Sequence, residues 1–164
     1  MTDGKLRCMT STYLFRGSEV LLLYRVGSRV LATPCWCGVG GHFEKDELND
    51  ARACALRELQ EETGLCAEDL RGLEMRYVTM RLKNGEVRLN CYFFASLISS
   101  REPMHDGSEG RLAWVDTGEA LSLPMPFTAK QVLRHYLQEG MRTALLYGGA
   151  TTPDGVSFTP LEEF

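Results

Sequence analysis

The stretch Gly40-Gly41-His42-Phe43-Glu44-Lys45-Asp46-Glu47-Leu48-Asn49-Asp50-Ala51-Arg52-Ala53-Cys54-Ala55-Leu56-Arg57-Glu58-Leu59-Gln60-Glu61-Glu62-Thr63-Gly64-Leu65 decides how the rest of the chain is read. Ala51, Ala55 and Leu59 recur every four residues, which predicts a helix from about Asp50 to Thr63. Asn49 or Asp50 suits its N-cap, and Gly64 stands where a left-handed residue ends a helix. Glu58, Glu61 and Glu62 then share one face, within an arc of roughly 100°. Like charges so spaced repel, and Glu58 and Glu62 lie beside the small residues Ala51, Cys54 and Ala55 that must face the protein body. Half-desolvated carboxylates need a compensating cation, and a hard divalent ion such as Mg²⁺ takes oxygen ligands of this kind. Arg57 is next to Glu58 in sequence but about 100° away around the helix, so it reads as a clamp on a loop or carboxylate rather than a direct partner of Glu58.

Outward from this segment the chain alternates irregularly. Residues 8–15 and Glu19 to Tyr24 read as strands about the turn Arg16-Gly17-Ser18. Leu73 to Leu82 and Glu86 to Leu97 flank Asn84-Gly85, a hairpin signal. Residues 99–110 read as a loop, Leu112 to Val115 as a strand and Thr128 to Gln138 as a helix. Two strand-like runs, Thr143 to Tyr147 and Val156 to Leu161, close the sequence. Tyr92, Phe93 and Phe94 read as core, and His105 and His135 as surface residues. The pattern predicts an α+β fold or an α/β/α sandwich, with antiparallel hairpins dominant.

Arg57-Glu58-Leu59-Gln60-Glu61-Glu62-Thr63-Gly64-Leu65 resembles the core of the Nudix box, and Gly41 followed by Glu47 resembles its opening. The stretch between Glu47 and Arg57 is two residues longer than in that box, which leaves Glu47 and Glu44 as alternatives for its first glutamate. Trp36-Cys37-Gly38-Val39-Gly40-Gly41, and the apolar strand ending at Arg25, are similar to Nudix hydrolases of the MutT type, which sanitise oxidised nucleotides such as 8-oxo-dGTP. The resemblance covers roughly residues 8–140. It implies a mixed β-sheet sandwiched by helices. It also implies Mg²⁺-dependent attack of water on a nucleoside diphosphate linkage, with Mn²⁺ as a substitute.

By the same resemblance the Gly41 carbonyl, Glu58, Glu61 and Glu62 would be metal ligands, and Arg57 would orient a box glutamate. The general base would be a box glutamate or a downstream one. Glu109 is the first downstream candidate and Glu102 the second. Arg25, Trp36, Cys37 and Phe127 are the expected substrate contacts, although a thiol is a poor hydrogen-bonding group and Phe127 fits core packing equally well. The proline that marks ADP-ribose pyrophosphatases is missing, with Met80-Arg81 in its region. Leu82 and Lys83 occupy the region of the tyrosine that marks dinucleoside polyphosphate hydrolases. These substitutions shift weight towards (deoxy)nucleoside triphosphates. A different diphosphate substrate and a non-catalytic nucleotide sensor remain alternatives, but sensors of this type usually lose box carboxylates and all three are present.

The 164 residues suit one domain, 1–140, with a small β extension, 141–164, that packs on it or on a second copy in a homodimer. Against 18 Lys+Arg stand 22 Asp+Glu, a net charge of −4, which argues against binding to a nucleic-acid polymer. No apolar run reaches the roughly 18 residues of a membrane span, and residues 1–5 do not lead into a signal sequence. Six cysteines in such a chain read as reduced thiols in the cytoplasm.

Overall fold

In the computed structural model, residues 2–26, 33–105 and 110–164 are described. Eight strands form one mixed sheet: β1 (Leu6–Arg16), β2 (Glu19–Arg25), β3 (Cys35–Cys37), β4 (Leu70–Lys83), β5 (Glu86–Leu97), β6 (Gly110–Asp116), β7 (Leu146–Thr152) and β8 (Gly155–Leu161). Their order is β3-β2-β1-β5-β4-β7-β8, with β6 on β2. The β1–β5 and β4–β7 ladders are parallel and the others antiparallel. The helices are α1 (Ala51–Thr63), the short α2 (Thr117–Ala120) and α3 (Phe127–Gln138). Among the described residues no helix is long and apolar enough to cross a membrane.

Alternation along the central strands builds two cores. Leu14, Leu21 and Phe93 join Ala55 and Leu59 of α1 on one side of the sheet. Tyr13, Leu22, Tyr92 and Phe94 join Val132 and Leu133 of α3 on the other. Each fully buried leucine contributes roughly 1.5–3 kcal/mol, so the two helix faces and the pleat fix one another's register. The β4–β5 hairpin turns through Asn84 (φ 54°) and Gly85 (φ 74°), the paired positive values of a type I′ turn.

The last strand pair differs from the sequence expectation. The strand begins at Leu146, not Thr143, and runs on through Gly148 and Gly149. The reason lies in β4, whose pairing shifts register between Met75 and Tyr77. The skipped residue, Arg76, is buried and donates to the carbonyls of Gly140 (2.7 Å), Thr143 (2.6 Å) and Leu145 (3.1 Å). That grip holds residues 143–145 off the ladder. β7 then extends the sheet beside β4, and Tyr147 stacks on Tyr77 at 5.4 Å.

Candidate active site

Helix α1 starts where the Asp50 carboxylate accepts from the Ala53 amide (3.0 Å) and ends at Gly64 in the left-handed region (φ 74°). A single 3-10 turn, Lys45–Glu47, precedes it. This turn points Glu47 inward, and the residues between it and the helix are Leu48, Asn49 and Asp50. Arg57 Nε and Nη2 donate to the two Glu47 carboxylate oxygens at 2.6 and 2.9 Å, whereas Glu44 lies 3.8 Å away and is largely exposed. The pair holds the Glu47 carboxyl well down, to about 2.

Arg57 does more than clamp Glu47. Contrary to the expectation from helix geometry, its Nη1 also meets Glu58 Oε1 at 2.9 Å, and Glu61 Oε2 at 3.1 Å. The long side chain reaches along the helix to both, so the 100° offset between neighbours is no barrier. Its Nη2 further donates to the His42 carbonyl (3.0 Å), tying the loop to the helix. One guanidinium therefore sits among three carboxylates.

Glu58 packs against Gly41 so closely that a Cβ on Gly41 would strike its carboxylate. This is the physical reason for glycine at that position. Burial pushes the Glu58 carboxyl up, against the pull of Arg57, and Glu61 and Glu62 push in the same direction as burial. The Gly41 carbonyl accepts from the Thr10 amide at 2.9 Å, which leaves its second lone pair. Gly40 is tighter still, since a Cβ there would collide with the Thr10 carbonyl. Arg25 Nη2 donates to the Gly40 carbonyl (2.8 Å) and pairs with Glu62 at 3.4 Å.

His105 was expected on the surface but is largely buried, with Nδ1 3.1 Å from Glu62 Oε2 and 3.1 Å from the Glu62 carbonyl. Its distance along the chain hid this role. His135 is partly buried too: Tyr77 Oη lies 2.7 Å from its Nδ1, and Tyr147 and Phe158 pack on its ring. Glu109 lies outside the described residues. Glu102 turns away, to Arg16 at 2.9 Å.

A cleft of about 330 Å³ opens beside Gly40 and Gly41, between the sheet and the start of α3. Arg25 and Cys37 line it as expected, while Trp36 and Phe127 do not. Trp36 instead joins the α3-side core, against Tyr24 and beneath Arg111. Phe127 opens α3 half in solvent, and its neighbours Pro126 and Thr128 face the cleft. Cys37 Sγ donates to the Leu23 carbonyl (3.5 Å), and burial pushes its thiol up to about 11. It is a neutral wall of the cleft. His42 also lines it, its pKa lowered by burial and by the positive charges of Arg7, Arg88 and Arg25.

Among the described residues no three acidic, histidine or cysteine side chains already converge as a metal cage. The chemistry of the donors nonetheless suits a hard divalent cation. Glu58, Glu61 and Glu62 are all oxygen donors on one turn of α1, and Glu58 carries a desolvated charge that its acidic neighbours make worse.

The NUDIX domain family model matches residues 8–136. Among solved structures, the mutator MutT protein from Bacillus halodurans is 24% identical, covering 95% of each chain with a TM-score of 0.64. A NUDIX hydrolase from Nitrosomonas europaea is 17% identical, covering 90% of this chain and 79% of its own, with a TM-score of 0.71. An Ap4A hydrolase from C. elegans is 18% identical, covering 82% and 96%, with a TM-score of 0.62. At these identities the neighbours speak for the fold.

Proposed function

The chain belongs to the NUDIX domain family, hydrolases of diphosphate linkages, and from that premise we propose that it cleaves a (deoxy)nucleoside triphosphate, oxidised ones included, into the monophosphate and pyrophosphate. The observation that carries this reading is the continuity of box and cleft. Gly41 touches Glu58 on one side and lines the cleft on the other. A diphosphate against α1 would therefore leave its nucleoside facing the space between the sheet and α3.

Glu58, Glu61, Glu62 and the Gly41 carbonyl would hold Mg²⁺, with Mn²⁺ as a substitute. Bound there, the ion would neutralise charge on the diphosphate and make a water more acidic. The protein's own part is positional. Arg57 fixes Glu58 and Glu61 from one side, and Arg25 with His105 fixes Glu62 from the other. Such fixed ligands spend little reorganisation during reaction. The proton of the attacking water goes to a box carboxylate or to Glu109.

The test is hydrolysis of normal and 8-oxo nucleoside triphosphates in heavy-oxygen water, with products read by mass spectrometry. Labelled pyrophosphate or labelled monophosphate is the expected outcome. Release of single phosphate, or preference for ADP-ribose, a dinucleoside polyphosphate or coenzyme A, would retain the diphosphate chemistry and overturn the triphosphate assignment.

A further inference from the structure

A row of charge that the reaction chemistry at α1 does not use runs into the cleft, where Arg81 and Arg88 line it. Arg7 on β1, Arg88 on β5 and Arg81 on β4 stand directly opposite one another in register. Like charges so paired across strands are destabilising. Among the described residues one carboxylate serves two of the three: Glu86 takes two hydrogen bonds from Arg7, both 2.9 Å, and one from Arg88 at 3.1 Å. Arg81 has no hydrogen-bonding or ionic partner among the described residues, although it lines the cleft and is part-buried.

Arg88 is 8% exposed, lines the cleft, and its Nη1 is buried without a partner. Two positions along the same strand face, Asn90 also lines the cleft and has its Oδ1 buried without a partner, while its Nδ2 donates to Ser11 Oγ (3.2 Å). An unpaired buried donor, an unpaired buried acceptor and an uncompensated cation thus face one space. Leaving such groups unmade is costly, and the arrangement is satisfied by a ligand that brings negative oxygen to the arginines and a donor to the amide.

We propose that Arg81 and Arg88 form an anion subsite that receives a phosphate group of the ligand, with Asn90 Oδ1 accepting from a hydroxyl or N–H of the same molecule. Two guanidiniums suit the several oxygens and double charge of phosphate. A neutral base edge would fill the hydrogen bonds and leave the like-charge repulsion in place. The hydrolase reading enters only in identifying that ligand as a nucleotide. The phosphate is either the terminal one of a triphosphate or one carried on the nucleoside side.

Calorimetric titration in EDTA separates these sources, because binding then needs neither metal nor turnover. The probes are inorganic tripolyphosphate against pyrophosphate, adenosine 3′,5′-bisphosphate against adenosine 5′-monophosphate, and guanosine. Arg81→Gln and Arg88→Gln should each weaken the longer member of one pair by about tenfold or more, with the shorter member nearly unchanged. The loss should shrink as salt rises. Sensitivity of tripolyphosphate assigns the terminal phosphate, and sensitivity of the bisphosphate assigns the nucleoside side. Arg81→Gln removes a repulsion and no ion pair, so without ligand its melting temperature should hold or rise, which keeps misfolding from imitating the result. Unchanged affinity for both pairs, absence of binding by any probe, or loss of guanosine binding alone overturns the subsite. Phosphate-selective binding by a chain that never hydrolyses would sink the hydrolase reading and leave the subsite standing. Turnover without that selectivity would do the reverse.

Discussion

Replacing Arg57 with methionine should invert the protein's response to acid. Arg57 holds Glu47 through two hydrogen bonds and Glu58 through a third, and the side chains of those carboxylates are only 8% and 12% exposed. Methionine keeps much of the length and removes the charge. Removing one partner of a buried ion pair costs about 3–5 kcal/mol, a large part of the roughly 5–15 kcal/mol that a domain possesses. At neutral pH the melting temperature should fall by about 6–20 °C.

The sign of the pH dependence follows from linkage. In the wild type the Glu47 carboxyl is depressed to about 2. Its stabilisation is therefore fully present above the unfolded value of about 4.3 and is lost as pH falls towards 2. In the variant, Glu47 and Glu58 are buried without a cation, so their folded values rise above the unfolded one. Stability is then greatest below about pH 4 and falls as pH rises through the raised folded values. Urea denaturation from acid to neutral pH measures both slopes. Glu44→Gln, at an exposed carboxylate 3.8 Å from Arg57, should change stability by less than about 1 kcal/mol. A loss below about 1 kcal/mol for Arg57→Met, or an acid slope matching the wild type, would show that Arg57 does not hold the two buried carboxylates.

Glu47→Gln should flatten the wild-type acid slope between about pH 4.3 and 2, as urea denaturation would register. The same variant should lower kcat by about 10–100-fold, as loss of an outer-shell partner does, and Glu58→Gln should lower it further; steady-state kinetics checks both. Gly40→Ala forces a Cβ into the Thr10 carbonyl, so calorimetry should show about 1–3 kcal/mol of destabilisation or more. Gly64→Ala meets no neighbour but keeps a left-handed φ, and should cost about 1–2 kcal/mol in the same measurement.

Local signals carried much of this architecture into the sequence. The small-residue face of α1, its Asp50 cap and its Gly64 stop follow from residues within a turn or two of each other. So does the Asn84-Gly85 hairpin. The box glutamates were legible for the same reason, because their relation is set by one helix. Features that depend on strand register were not. Arg7, Arg81 and Arg88 are unremarkable in sequence and become a row only when β1, β5 and β4 align. His105 reaches Glu62 with the whole of β4 and β5 between them in sequence, and Arg76 reaches residues 140–145 because a strand irregularity frees it from the ladder. Trp36, a substrate contact by resemblance, lies in the α3-side core and outside the cleft lining, a placement set by how β3 pairs with β2.

The most direct test of the central claim is turnover of nucleoside triphosphates by the wild type and by Glu62→Gln across a Mg²⁺ titration, with released pyrophosphate as the readout. Metal-dependent pyrophosphate release by the wild type, and its loss in a variant that stays folded, is the expected result. Full turnover by Glu62→Gln, or no pyrophosphate from any triphosphate with Mg²⁺ or Mn²⁺, would contradict it.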